Sequence, residues 1–333
     1  MTPSRRAFLA AGTGVAAATV AAPALAAMAG PDAVAAASRG MTFTTLRDGG
    51  RDHVGVRTAH GIVDVAAAAR ALGIANAPVT VDDVVAGRGD VAALARIVAR
   101  APASAVRAES AVQYGPLVNS PAKIICVGLN YRAHIAETGE KTPPFPDLFN
   151  KYNTALNRHN GTVAVSQVPA TQFDYESELV MIVGRTARNV PESAALGYVF
   201  GYACGNDFTA RDPQQRVSQW MTGKTPDQFA PLGPWLVTAD QIPDPQTLQV
   251  QTFVNDETAP RQDMNTSQMI FSCAHILSYT STFITLQPGD VIFTGTPSGV
   301  ITGMPKDKQV WLKPGDRVRT VISKLGELRF SLT

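Results

Sequence analysis

Residues 173–184, "FDYESELVMIVG", constrain the fold more than any other part of the chain. Residues 179–183 are an uninterrupted apolar run, partly β-branched, that stops at Gly184. Such a run reads as a strand with neither face left for water. Two acids, Glu176 and Glu178, enter at the start of it. Successive side chains of an extended chain alternate, so both carboxylates fall on one face. Like charges beside a buried sheet repel and lose hydration, which demands an offsetting charge.

The rest of the chain supports a strand-rich fold. From about residue 123, "KIICVGLN", "YVFGYACGND", "GPWLVT", "LQVQTFVND", "GDVIFTG" and "GDRVRTVIS" read as further short strands between Gly/Pro turns. The clearest helix is "MNTSQMIFSCAHILSYTST", with Met269, Cys273, Ile276 and Leu277 on one stripe. Many strands and few helices argue for an α+β fold over a doubly wound sheet. Residues 41–118 read as a small N-terminal α+β domain that opens on a three-run meander, with turns at Gly49-Gly50 and His60-Gly61. Residues 119–333 form the second domain. Nucleotide-binding glycine loops and the G-x-S-x-G elbow are absent, which excludes those chemistries.

With 29 basic and 27 acidic residues in 333, there is no electrostatic footprint for nucleic acid. Arg5 and Arg6 precede a short Ala/Gly/Val stretch and the Ala24-Leu25-Ala26 cleavage pattern. This is the layout of a twin-arginine secretory signal over residues 1–26, and it implies a periplasmic or secreted mature chain. No later run is long enough for a membrane span. Ala-rich residues 27–40 read as a flexible lead-in. Cys126, Cys204 and Cys273 are odd in number and widely spaced, hence structural thiols.

Two clusters carry chemistry. Asp207 ends another strand about thirty residues after Glu178. Three carboxylates with open positions suit a hard cation such as Mg²⁺, Mn²⁺ or Ca²⁺. The same spacing also fits a solvated edge with Asp207 capping a turn. In "YRAHIAE", His134 and Glu137 stand at i, i+3 on one helical face. A carboxylate-held histidine can serve as a general base, although a surface ion pair has the same spacing. His53, His60, His159 and His275 show no such partner.

The motifs "ICVGLNYRAHIAETGE", "DYESELVMIVGR", "GYACGNDFTARDPQ", "GKTPDQFAPLGPWLVT", "LQPGDVIFTGTPSGV" and "LKPGDRV" occur in the order found in the fumarylacetoacetate hydrolase family, which the chain resembles from about residue 123 onward. The resemblance implies a mixed β-roll core, a homodimer and Mg²⁺, or Mn²⁺ or Ca²⁺, on Glu176, Glu178 and Asp207. It implies that His134 and Glu137 are the base dyad on a lid segment and that Lys224 stands beside the metal. Arg211 and Gln214 would contact substrate oxygens, and Thr296 would hold a substrate carboxylate. The activity implied is C–C hydrolysis of an acylpyruvate to pyruvate and an acid. Isomerisation of hydroxy-diene-dioates or oxaloacetate and decarboxylation of β-keto acids belong to the same family. An exported keto-acid binding protein is the non-enzymatic alternative.

Overall fold

The computed structural model describes residues 28–333. The expected secretory signal lies outside them. The apolar run of residues 179–183 does become a buried strand, Ser177–Val183, every residue of which is buried. It lies near the middle of a ten-stranded sheet. In spatial order the strands are Val106–Arg107, Gly61–Asp64, Arg51–Thr58, Thr42–Asp48, Leu236–Thr238, Val199–Asn206, Ser177–Val183, Val291–Phe293, Ile124–Gly128 and Asp147–Lys151. All neighbours are antiparallel except Val291–Phe293 with Ile124–Gly128. A second, five-stranded sheet runs Gln262–Asn265, Gln249–Val254, Arg317–Ile322, Gly326–Leu332 and Gly161–Val163.

The alternation of Ser177–Val183 explains why neither face is polar. Leu179, Met181 and Val183 join a core with Val250, Ile322 and Leu328 of the second sheet and with Cys273, Ile276 and Leu277 of the helix Cys273–Phe283. Val180 and Ile182 point the other way, into a core shared with Phe43, Val54 and the N-terminal helices. The mixed α/β architecture with large sheets therefore agrees with the predicted fold class. The N-terminal strands are not set apart from it, because Phe43 pairs with Leu236 and the sheet runs on across the expected boundary.

Three expectations differ from what is found. The lead-in 27–40 contains the helix Pro31–Ala37, with Val34 buried. Pro31 suits a first helical turn and alanine carries the best helix propensity, which disfavours a flexible segment. The helix expected across residues 264–282 begins only at Cys273, where the Ser272 hydroxyl accepts from the His275 amide. Met269 is buried but precedes the helix, because Gln262–Asn265 pairs as a strand with Gln249–Val254.

The third concerns two histidines read as unpartnered. His53 Nε2 lies 3.1 Å from Asp64 and 3.4 Å from Asp48, and His275 Nδ1 lies 2.9 Å from Glu192. Arg107 closes the first group with contacts of 2.7 Å to Asp48 and 2.6 Å to Asp64. Asp64 also caps the helix Val65–Ala71 by accepting from the Ala67 amide at 2.9 Å. Its hydrogen bond to Asp64 holds the His53 imidazole above its ordinary pKa. His53 therefore stabilises the fold below pH 6.5 and loses that contribution as pH rises through the raised value. The stability gap between wild type and His53→Gln in urea unfolding is expected to be larger at pH 6 than at pH 9. Asp64→Ala, which removes the cap as well, is expected to cost about 2 kcal/mol.

Candidate active site

A cavity of about 840 Å³ lies against the ends of these central strands. All nine candidates from the sequence line it: His134, Glu137, Glu176, Glu178, Asp207, Arg211, Gln214, Lys224 and Thr296. Glu176 and Glu178 come from the start of Ser177–Val183. Asp207 follows the end of its antiparallel neighbour Val199–Asn206, so the pairing of Ser177 with Asn206 sets the three acids together. One oxygen from each lies within 4.8 Å of the others, and all three residues are buried.

Buried cations surround them. Lys224 Nζ donates to Glu176 Oε2 at 2.7 Å and to Asp207 Oδ2 at 2.8 Å. Arg211 Nη1 contacts Glu176 Oε1 at 2.6 Å, while its Nε donates to Asp174 Oδ2 at 2.9 Å. Lys151 Nζ stands 2.6 Å from Asp207 Oδ1 and donates to the carbonyls of Phe208, Lys224 and Phe229. Four carboxylates (Asp174, Glu176, Glu178, Asp207) thus face three cations. Glu178 is the one without a cationic partner among the described residues, and it accepts only from the Gly295 amide at 2.7 Å. Burial first, then the charges of Asp207 and Glu176, pushes its carboxyl well above the usual range. Burial pushes Glu176 the same way, but Lys224 and then Arg211 outweigh it and hold the group at about 2.

The donor set fits a hard divalent cation. It is all oxygen, and Glu178 meets no cation among the described residues, its one donor being the Gly295 amide. With a divalent ion bound and all four carboxylates ionised, the cluster would carry one net positive charge, a balance that suits an anionic substrate. Arg211 Nη2 is buried without a partner among the described residues, an unspent donor on a residue that lines the cavity. Gln214 Oε1 accepts from Arg211 Nη1 at 3.2 Å. The Thr296 hydroxyl donates to the Ser177 carbonyl at 3.0 Å and accepts from Gln262 at 2.8 Å, so it is already engaged within the protein.

The dyad sits on the short helix Arg132–Thr138, where His134 Nδ1 lies 2.8 Å from Glu137 Oε1. An ionised carboxylate only accepts, so Nδ1 carries the proton and Nε2 is left basic. Glu137 Oε2 accepts from the Gly299 amide at 2.8 Å, which distinguishes the pair from a loose surface ion pair.

Sequence reasoning overlooked Lys151 and Asp174. The alternation that singled out Glu176 and Glu178 also puts Asp174 on their face, so that signal was present. Lys151 carries none, since every group it touches is distant in sequence. Trp220 is a third omission: its ring lies edge-on to Phe149, with centroids 5.3 Å apart, and packs over Gly128 at the cavity wall.

An acid–base pair and an oxygen-rich carboxylate cluster that share one cavity on a mixed-sheet fold are an arrangement typical of divalent-metal enzymes. Residues 123–333 match the family described as fumarylacetoacetate (FAA) hydrolase C-terminal, and the chain belongs to the fumarylacetoacetate hydrolase family. It is 42% identical over 218 residues to a fumarylacetoacetate hydrolase domain-containing protein 2 homolog of Dictyostelium discoideum, covering 62% of this chain and 70% of the other. A fumarylpyruvate hydrolase of Pseudomonas aeruginosa, solved in complex with Mn²⁺ and pyruvate, is 34% identical with a TM-score of 0.56. That match covers 63% of this chain and 89% of the other. A 5-carboxymethyl-2-hydroxymuconate delta-isomerase of Mycobacterium smegmatis is 28% identical with a TM-score of 0.65, covering 88% and 98%. The family thus includes both hydrolases and isomerases.

Cation binding at the cluster is expected to raise the melting temperature of the ion-free protein. Mn²⁺ at a hundredfold excess over Kd adds about 2.7 kcal/mol. Asp207→Asn should abolish the shift in a thermal-melt titration, and an undiminished shift in that variant would place the ion elsewhere.

Proposed function

We propose that the protein is a divalent-metal-dependent hydrolase that cleaves an acylpyruvate-type 2,4-diketo acid into pyruvate and a carboxylic acid. The observation that carries this reading is the His134–Glu137 pair, fixed by the Gly299 amide and opening on the same cavity as Lys224 and the three carboxylates. Glu176, Glu178 and Asp207 would hold the ion, which would supply a Lewis acid for enolate charge. Mg²⁺ is the cation proposed, with Mn²⁺ or Ca²⁺ as substitutes.

His134 Nε2 takes a proton from water as the oxygen adds to the distal carbonyl. The C–C bond to the pyruvate unit then breaks, and its electron pair passes into the enolate of pyruvate, which a proton converts to pyruvate. The new carboxylic acid leaves from the other side. Lys224 spends two of its three N–H donors on Glu176 and Asp207, so one remains for the oxyanion. Arg211 Nη2 is a second available donor, suited to a substrate oxygen. Gln214 lies beside it, and Thr296 would have to exchange its bond to Ser177 to reach a substrate carboxylate. Twin-arginine export to the periplasm and assembly as a homodimer belong to the same proposal.

Pyruvate release from a panel of acylpyruvates and oxaloacetate, with Mg²⁺ and with EDTA, tests this reading. Chelator-sensitive pyruvate from an acylpyruvate is the expected result. Pyruvate from oxaloacetate alone would mean a decarboxylase, and substrate conversion without pyruvate an isomerase. His134→Ala is expected to lower kcat by roughly a hundredfold or more while oxalate still binds. Full turnover in that variant would remove the histidine from the mechanism.

A further inference from the structure

Both oxygens of Glu137 are committed, Oε1 to His134 and Oε2 to the Gly299 amide. The Gly299 amide belongs to the loop that follows Val291–Phe293, and the turn Ile301–Gly303 of that loop lies against the Glu137 side chain. A Cβ at position 303 would lie 2.5 Å from Glu137 Cδ, 2.6 Å from Cγ and 2.9 Å from Oε1. These separations are well inside van der Waals contact, so a side chain at 303 and the observed Glu137 position are incompatible. The backbone at Gly303 is not among the glycines with positive φ, so alanine there meets a clash and no conformational strain.

The loop itself is firmly anchored. Asp174 Oδ1 accepts from the Ile301 amide at 2.9 Å and Oδ2 from the Thr302 amide at 3.0 Å. Gln309 Nε2 donates to the carbonyls of Thr302 at 3.0 Å and Met304 at 2.9 Å, and the Tyr175 hydroxyl donates to the Gly299 carbonyl at 2.8 Å. Glu137 is the partner that gives way in this contact, because its carboxylate ends a rotatable side chain held by two hydrogen bonds whereas the 301–304 backbone is held by four. A methyl group at 303 therefore displaces the glutamate and leaves the loop in place.

We propose that Gly303 is a positioning residue for the dyad, its missing side chain being what lets Glu137 stand between His134 and the Gly299 amide. The proposal deepens the hydrolase reading and rests on it only in treating His134 as the base. Asp174 extends the same device to the carboxylate cluster, since the oxygen that takes the Thr302 amide also takes Arg211 Nε. The seat of the dyad and the side chain that grips Glu176 are thereby held by one carboxylate.

The experiment compares the full chain with Gly303→Ala, Glu137→Asp and the double variant, in acylpyruvate hydrolysis with Mg²⁺ and by ¹⁵N NMR of the His134 ring. Gly303→Ala is expected to lower kcat roughly tenfold to a hundredfold with KM within about threefold. The two substitutions should be non-additive, the double variant being no slower than the slower single one, because each takes away the same Glu137 contact with His134. The ring of the wild type should show a protonated Nδ1, and Gly303→Ala should lose that preference while still unfolding cooperatively. Wild-type kcat in Gly303→Ala, multiplicative losses, or an unaltered ring spectrum would each overturn the proposal. If the wild type hydrolyses no acylpyruvate, the hydrolase reading fails instead, and the ring spectrum still decides the role of Gly303.

Discussion

The site depends on a charge imbalance that the fold confines to one residue. Four buried carboxylates and three buried cations occupy a small volume, and an uncompensated buried charge is costly. Glu176 is met by Lys224 and Arg211, Asp207 by Lys151 and Lys224, and Asp174 by Arg211. The surplus falls on Glu178, answered only by the Gly295 amide. The fold must therefore bring together the end of Asp147–Lys151, the start of Ser177–Val183, the end of Val199–Asn206 and the short helix Met221–Lys224. Four sheet pairings, through Val291–Phe293 and Ile124–Gly128, and the two short helices Arg211–Gln214 and Met221–Lys224 achieve this, and the same arrangement leaves Arg211 Nη2 available for chemistry.

Much of this was legible in the sequence because its information is local. Glu176 and Glu178 are related by strand alternation, and His134 and Glu137 by a helical turn. The apolar run after Glu178 declared a strand covered on both faces, and two cores do flank it. Asp174 obeyed the same alternation and was legible in principle. What could not be read depends on contacts between distant segments. Lys151 bonds to carbonyls 57, 73 and 78 residues away. His275 meets a carboxylate 83 residues away, so no local pattern reveals it.

Gly303 and its neighbours show the same limit from the opposite side. Nothing in "GVITGMP" marks one glycine as a seat for a glutamate, since the requirement is the approach of a helix more than 160 residues earlier. Boundaries set by a single side chain lie between these extremes. The Ser272 cap starts the helix Cys273–Phe283, and strand pairing upstream overrules the longer apolar periodicity.

The lone parallel pairing in the large sheet has a temporal consequence. Ile124–Gly128 and Val291–Phe293 run in the same direction, so the segment carrying His134 and the loop carrying Gly299 leave from the same end of neighbouring strands. The acid–base pair is thereby built from two stretches that the ribosome makes far apart in time. Until the strand Val291–Phe293 has been synthesised and inserted, the earlier strand lacks this neighbour and Glu137 has no amide to grip. Closing so long a loop is slow because its entropy must be lost before contacts reward it. The dyad can thus be completed only late in synthesis, and a chain truncated before residue 299 carries His134 and Glu137 without the amide that holds them in register.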